Sequence, residues 1–159
     1  MTTPLAQLFK KTQSENRAAL IAYIPAGYPT QEGCKAVIDA FADAGVDAIE
    51  IGFPYSDPVM DGPTIQEAAN TSLNAGTGSK EVFEALAHAT SRGIPSVVMT
   101  YWNPVEKYGV QEFAHSISAN SGFLSFSYVN PKLYRALKWV GSSLITVLKA
   151  WTAFSCSFR

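Results

Sequence analysis

The chain has 159 residues, 47% hydrophobic and 16% charged, with a formal net charge of −1. That length suffices for one domain with a real core but is short for a closed eight-unit α/β barrel, which takes about 250 residues. The near-neutral balance gives no electrostatic reason to expect nucleic acid or an anionic membrane as partner, and the two distant cysteines, Cys34 and Cys156, show neither metal-ligand spacing nor a disulfide framework.

Residues 1–17 carry Lys10, Lys11, Glu15 and Arg17 and no apolar run of signal-peptide length, so the cytoplasm is the expected compartment. Thr3-Pro4 reads as an N-cap followed by proline in the first helical turn, with Leu5, Leu8 and Phe9 on one face. Residues 19–25, ALIAYIP, form an apolar run of strand length that fits a strand buried on both faces. A helix follows from Thr30, because Cys34, Val37, Ile38 and Phe41 recur at helical spacing before Gly45. The alternation repeats with a strand over residues 46–52, a loop rich in proline and glycine over 53–63, and a short helix from Pro63 to Gly76. A further helix runs from Ser79 to Gly93, a third strand spans residues 94–102, and one more helix starts after Gly109. Three strand–helix units in succession predict a parallel sheet with helical crossovers, either an open sheet or part of a barrel.

All thirteen acidic residues lie between Glu15 and Glu112, whereas the last 47 residues hold five Lys or Arg and no acid. This shift places a boundary within Ala114–Ala119, dividing residues 1–117 from a tail, 118–159. In the tail, residues 121–129 are compatible with a strand. Residues 131–150 are compatible with a helix that brings Leu133, Leu137, Val140, Leu144 and Leu148 near one side.

Glu50 interrupts the run Ala48-Ile49-Glu50-Ile51 near the carboxyl end of a buried strand. Period-two alternation turns Ile49 and Ile51 toward covering helices and Glu50 the other way, to the end where parallel α/β enzymes place their sites. Two readings stand: a proton-transferring group whose pKa burial raises, or a structural Glu paired with a Lys or Arg. Asp57, in Ser56-Asp57-Pro58, and Asp61, before Gly62-Pro63, are equally compatible with turn or helix-cap chemistry. His88 and His115 have no partner at ligand spacing and are read as surface or packing residues, and Asn70-Thr71-Ser72 is too short a pattern to mark glycosylation.

The segment from Ile49 to Pro58, followed by Asp61-Gly62-Pro63-Thr64-Ile65-Gln66, resembles the signature of the tryptophan synthase alpha chain family. Residues 23–29 (YIPAGYP) and 99–104 (MTYWNP) resemble the ends of that family's first and third strands, in the same order. The resemblance covers residues 1–117 and implies a (β/α)8 TIM barrel of which the first three units are present. It further implies a carbon–carbon lyase of tryptophan biosynthesis that splits indole-3-glycerol phosphate into indole and glyceraldehyde 3-phosphate without a cofactor. By position in the motifs, Glu50 is the acid and base, Asp61 binds the indole N–H, and Tyr23, Met99 and Tyr101 lie beside the indole. Pro54 and Asp57 fall where the alpha chain meets its beta chain. From the residues alone, Tyr23, Met99 and Tyr101 are equally compatible with core packing.

The tail departs from the family and looks truncated or translated out of frame, which the coding DNA tests through a frame-restoring change near codons 114–125. Barrels of this type hold the substrate phosphate after strands seven and eight, so the expected activity of this chain is very low. Two alternatives remain: a non-catalytic fragment that keeps a beta-chain docking surface, and another phosphate-handling barrel lyase or isomerase.

Overall fold

A computed structural model describes residues 3–126, ten elements in which each of the first three strands is followed by one or two helices. They are α1 (Pro4–Ser14), β1 (Ile21–Pro25), α2 (Gln31–Asp43), β2 (Ala48–Gly52), α3 (Pro63–Asn74), α4 (Ser79–Ser91), β3 (Ser96–Thr100), α5 (Trp102–Tyr108), α6 (Val110–Ala119) and β4 (Phe123–Phe126). The capping chemistry explains the helix starts. Thr3 Oγ1 accepts a hydrogen bond from Ala6 N at 3.2 Å, Thr30 Oγ1 accepts from Gly33 N at 3.0 Å, and Pro63 opens α3. Gly45, Gly76 and Gly93 adopt positive φ just after α2, α3 and α4, where the chain must reverse.

The strands form one parallel sheet in the order β1-β2-β3-β4. On its outer face Ile24, Ile49, Ile51, Val98 and Leu124 meet Cys34 and Ile38 of α2, Val82 and Leu86 of α4, and Phe113 and Ile117 of α6 in one core. On the inner face a smaller cluster joins Leu5 and Leu8 of α1 to Ala48 and Phe123, with Val97 packed beside it. Because Ala48 and Phe123 begin their strands, α1 covers the amino ends and leaves the carboxyl ends of that face to other residues. Tyr23, Glu50, Val97 and Phe123 stand side by side across the four strands.

Two elements differ from the sequence reading. Leu20 and Ile21 are 60% and 46% exposed, so the first strand is not buried on both faces along its length; β1 is an edge of the described sheet and no described strand pairs with its outer edge. Helix α5, in which Pro104 lies within the first turn, was not expected, because it follows the third strand directly and is only 7 residues long. The strand compatible with residues 121–129 appears as β4, and α6 runs without a break to Ala119. The helix read into residues 131–150 lies outside the described residues. Among the described residues no helix is long and apolar enough to cross a membrane.

His88 packs as expected: its Nε2 stands 3.0 Å from Asp39 Oδ1, and Arg92 reaches both Asp39 and Asp43, so these pairs tie α4 to α2. Arg17 grips Asp47 with two hydrogen bonds of 2.6 and 2.8 Å, and Leu20 N donates to the same carboxylate at 2.7 Å. The Arg17 hydrogen bond, above all, holds the Asp47 carboxyl at about 2, below its ordinary value. A carboxyl with a depressed folded-state pKa stabilises the fold above its unfolded pKa and loses that contribution as pH falls through the folded value. Melting temperature is therefore expected to fall as pH drops from neutrality toward about 2, and Arg17→Met is expected to flatten that slope. An unchanged slope in the variant contradicts the pairing.

Candidate active site

Alternation along β2 puts Ile49 and Ile51 in the outer core and turns Glu50 to the inner face, where it is half-buried. Burial pushes its carboxyl up from the ordinary value, and among the described residues no Lys or Arg is ion-paired with it. The structural-pair reading of Glu50 thus finds no described partner.

Tyr23 stands opposite Glu50 in the β1–β2 register, and its ring occupies the place a Cβ on Gly52 would need. Burial, followed by the charges of Asp61 and Glu50 and by Tyr101, raises the Tyr23 phenol, so it stays neutral across the physiological range. Tyr23 therefore lies within electrostatic reach of Asp61, Glu50 and Tyr101. Met99, half-buried, pairs with Gly52 in the β2–β3 register and so belongs to the same stretch of the sheet. Gly52→Ala forces Tyr23 aside and is expected to cost about 1–3 kcal/mol, read as a lower urea midpoint; a shift indistinguishable from zero contradicts the contact.

The loop after β2 bends over these strand ends. Phe53 N continues the ladder by donating to Met99 O at 2.8 Å, and Pro54 is buried. Tyr55 stacks on Tyr101 with ring centroids 5.0 Å apart, and Asn103 Nδ2 donates to the Tyr55 hydroxyl at 2.6 Å. Tyr101 holds the far end of the loop: its hydroxyl accepts from Met60 N at 3.1 Å and donates to Asp61 Oδ2 at 3.3 Å. Gln66 Nε2 donates to the Asp61 carbonyl at 2.9 Å, so α3 also fixes the position of Asp61.

This geometry separates the open readings of the two aspartates. Asp61 does not cap α3: Gly62 occupies the N-cap position without a side-chain bond, and the Asp61 carboxylate points to Tyr101 instead. Asp57 is exposed, accepts from Ser56 Oγ at 3.1 Å, and its carbonyl accepts from Val59 N at 2.9 Å, which is turn chemistry on an outward surface. Tyr55 and Asn103 escaped the sequence reading because they are 48 residues apart, and Gln66 because its bond to the Asp61 carbonyl, five residues away, leaves no spacing signal. Gly52 had a readable signal, a strand glycine beside a possible close approach.

The sheet thus gathers Tyr23, Glu50, Asp61 and Tyr101 at the carboxyl ends of its strands, with Met99 on the adjoining strand and Pro54 and Asp57 on the loop outside. A family model described as the tryptophan synthase alpha chain matches residues 9–123. The chain belongs to the tryptophan synthase alpha chain family. A curated tryptophan synthase alpha chain from Nocardia farcinica is 48% identical over 118 residues, 74% of this chain and 44% of that protein. One from Salinispora arenicola is 43% identical over 137 residues, 85% of this chain and 50% of that protein. A structure of Mycobacterium tuberculosis tryptophan synthase superposes with a TM-score of 0.81 at 40% identity, covering 87% of this chain and 54% of that one. The chain spans about half the length of the curated relatives it matches. These tryptophan synthase neighbours give the four-stranded sheet its place as part of a TIM barrel, and the family match ends at Phe123, the first residue of β4.

Proposed function

We propose that this chain carries the proton-transfer part of a tryptophan synthase alpha chain site, whose reaction is the retro-aldol cleavage of indole-3-glycerol phosphate to indole and glyceraldehyde 3-phosphate. The observation that carries the reading is the half-buried Glu50 carboxyl, which has no ion pair among the described residues and faces Tyr23, a side chain that also feels Asp61. Breaking the carbon–carbon bond sends its electron pair into the indole ring, so the ring carbon must take up a proton. The hydroxyl of the neighbouring side-chain carbon must lose one as it becomes the aldehyde. Glu50 performs both transfers, for which a carboxyl raised by burial is suited. Asp61, oriented by Tyr101, accepts the indole N–H and stabilises positive charge on the protonated ring. Tyr23, Met99 and Tyr101 flank the flat indole.

The substrate phosphate needs the loops after strands seven and eight of a complete barrel, whereas the described sheet has four strands. Purified chain given indole-3-glycerol phosphate, alone and with a tryptophan synthase beta chain, is expected to release indole far more slowly than a full-length relative. Turnover near that of the relative refutes the partial-site account.

The outward-facing Asp57 beside buried Pro54 favours a second reading. In it, the chain docks a beta chain in the cytoplasm through residues 54–58 without turnover. Retention by an immobilised beta chain, lost in Asp57→Lys, is the expected result; equal retention of the variant contradicts it.

A further inference from the structure

The segment where β3 runs into α5 grips the loop after β2 at two places. Tyr101 occupies the N-cap position of α5, and Asn103 lies in its first turn. The Tyr101 hydroxyl takes the far end of the loop, accepting from Met60 N and donating to Asp61 Oδ2. Asn103 takes the near end, donating from Nδ2 to the Tyr55 hydroxyl at 2.6 Å. The two grips meet, because the Tyr55 ring lies on the Tyr101 ring with centroids 5.0 Å apart and an interplanar angle of 29°.

The Tyr101 hydroxyl has two alignments to satisfy at once, as acceptor for an amide and as donor to a carboxylate. Its ring turns about a torsion with a broad minimum, so a modest rotation swings the hydroxyl off both lines. A stacked neighbour limits that rotation. The neighbour must itself be fixed, and Tyr55, half-buried on a loop, is fixed by Asn103. Gln66 meanwhile holds the Asp61 carbonyl, so α3 sets the backbone of Asp61 while Tyr101 sets the direction of its side chain.

We propose that Tyr55 is a positioning residue for Asp61: held by Asn103, its ring keeps Tyr101 in the orientation that aims the Asp61 carboxylate. A phenylalanine at 55 would keep the stack but offer Asn103 no oxygen. That the aimed carboxylate receives an indole N–H rests on the lyase reading; the clamp that aims it does not.

The test uses the full chain. Met60 is 61% exposed and its amide donates to the Tyr101 hydroxyl, so hydrogen exchange at Met60, followed by NMR, reports how well that hydroxyl is held. Tyr55→Leu is expected to speed this exchange about tenfold, and Tyr55→Phe and Asn103→Ala about threefold each. Combining the last two should add nothing to either alone, because both remove one bond. Amides within β2 and β3 should exchange as in the parent. The aim of Asp61 is read by ligand-observed NMR with indole and with 1-methylindole, which lacks the N–H. Neither carries a phosphate, so the missing phosphate loops do not enter. The parent is expected to favour indole, Tyr55→Leu and Asp61→Ala to lose that preference, and Tyr55→Phe to keep part of it. Unchanged Met60 exchange in Tyr55→Leu, additive effects of Tyr55→Phe and Asn103→Ala, or an indole preference that survives Tyr55→Leu would each overturn the proposal. A parent without the preference, or a preference that survives Asp61→Ala, would instead overturn the lyase reading and the positioning role with it, even where Met60 exchange shows the clamp intact.

Discussion

Phe113→Ala is expected to destabilise the fold by about 3–5 kcal/mol. Phe113 is fully buried, and its ring centroid lies 5.2 Å from Phe83, 5.7 Å from Tyr108 and 6.2 Å from Phe53. The contacts join α6 to α4, to α5 and to the loop after β2, so no single element can move in to fill the space. Two of the contacts are edge-on, an arrangement worth more than area burial alone. Against a total stability of about 5–15 kcal/mol the loss takes a large share. Urea denaturation of Phe113→Ala and Phe113→Leu provides the check, with the leucine variant in between. A midpoint shift for alanine worth under about 1 kcal/mol would mean that α6 does not dock as described.

Glu50→Gln is expected to lower indole release about 10²–10⁴-fold, the range general acid–base groups supply. The measurement needs a complete barrel: residues 1–123, ending where the family match ends, joined to the remaining strand–helix units of a full-length relative. Binding of indole propanol phosphate, which lacks the hydroxyl that Glu50 deprotonates, is expected to survive, because glutamine keeps the shape and size of the side chain. Loss of the fold cannot explain the result. The folded-state pKa of Glu50 is raised, so its ionised form is disfavoured by folding. Stability is then highest below the unfolded carboxyl pKa and declines as pH rises through the raised folded value. Glu50→Gln is therefore expected to melt at or above the parent at neutral pH, with the difference closing in acid. Unchanged indole release in the variant removes the mechanistic case.

Much of the fold was legible because its signals are local. Thr3, Thr30 and Pro63 start helices through their own side chains or ring, Gly45, Gly76 and Gly93 follow α2, α3 and α4 at positive φ, and Ile49-Glu50-Ile51 shows which face of β2 is buried. The exposure of Leu20 and Ile21 was not legible, since an apolar run cannot report whether a neighbouring strand is present. Helix α5 was hidden for a different reason, its length being too short for periodicity to register. At the site, alternation located Glu50, whereas the role of Asp61 in the fold required geometry: only the Tyr101 hydroxyl, 40 residues away in sequence, separates a tethered carboxylate from a helix cap. Asn103 on Tyr55 and Gln66 on the Asp61 carbonyl are likewise products of the fold, not of spacing.

The pH dependence of kcat/KM for the completed barrel tests the role of Glu50 most directly. Taking the hydroxyl proton requires an ionised base, so the rate should rise with pH through the pKa of Glu50, at a midpoint above the usual carboxylate range, and that limb should vanish in Glu50→Gln. A midpoint within or below the usual range, or a limb that persists in the variant, would show that another group moves the proton.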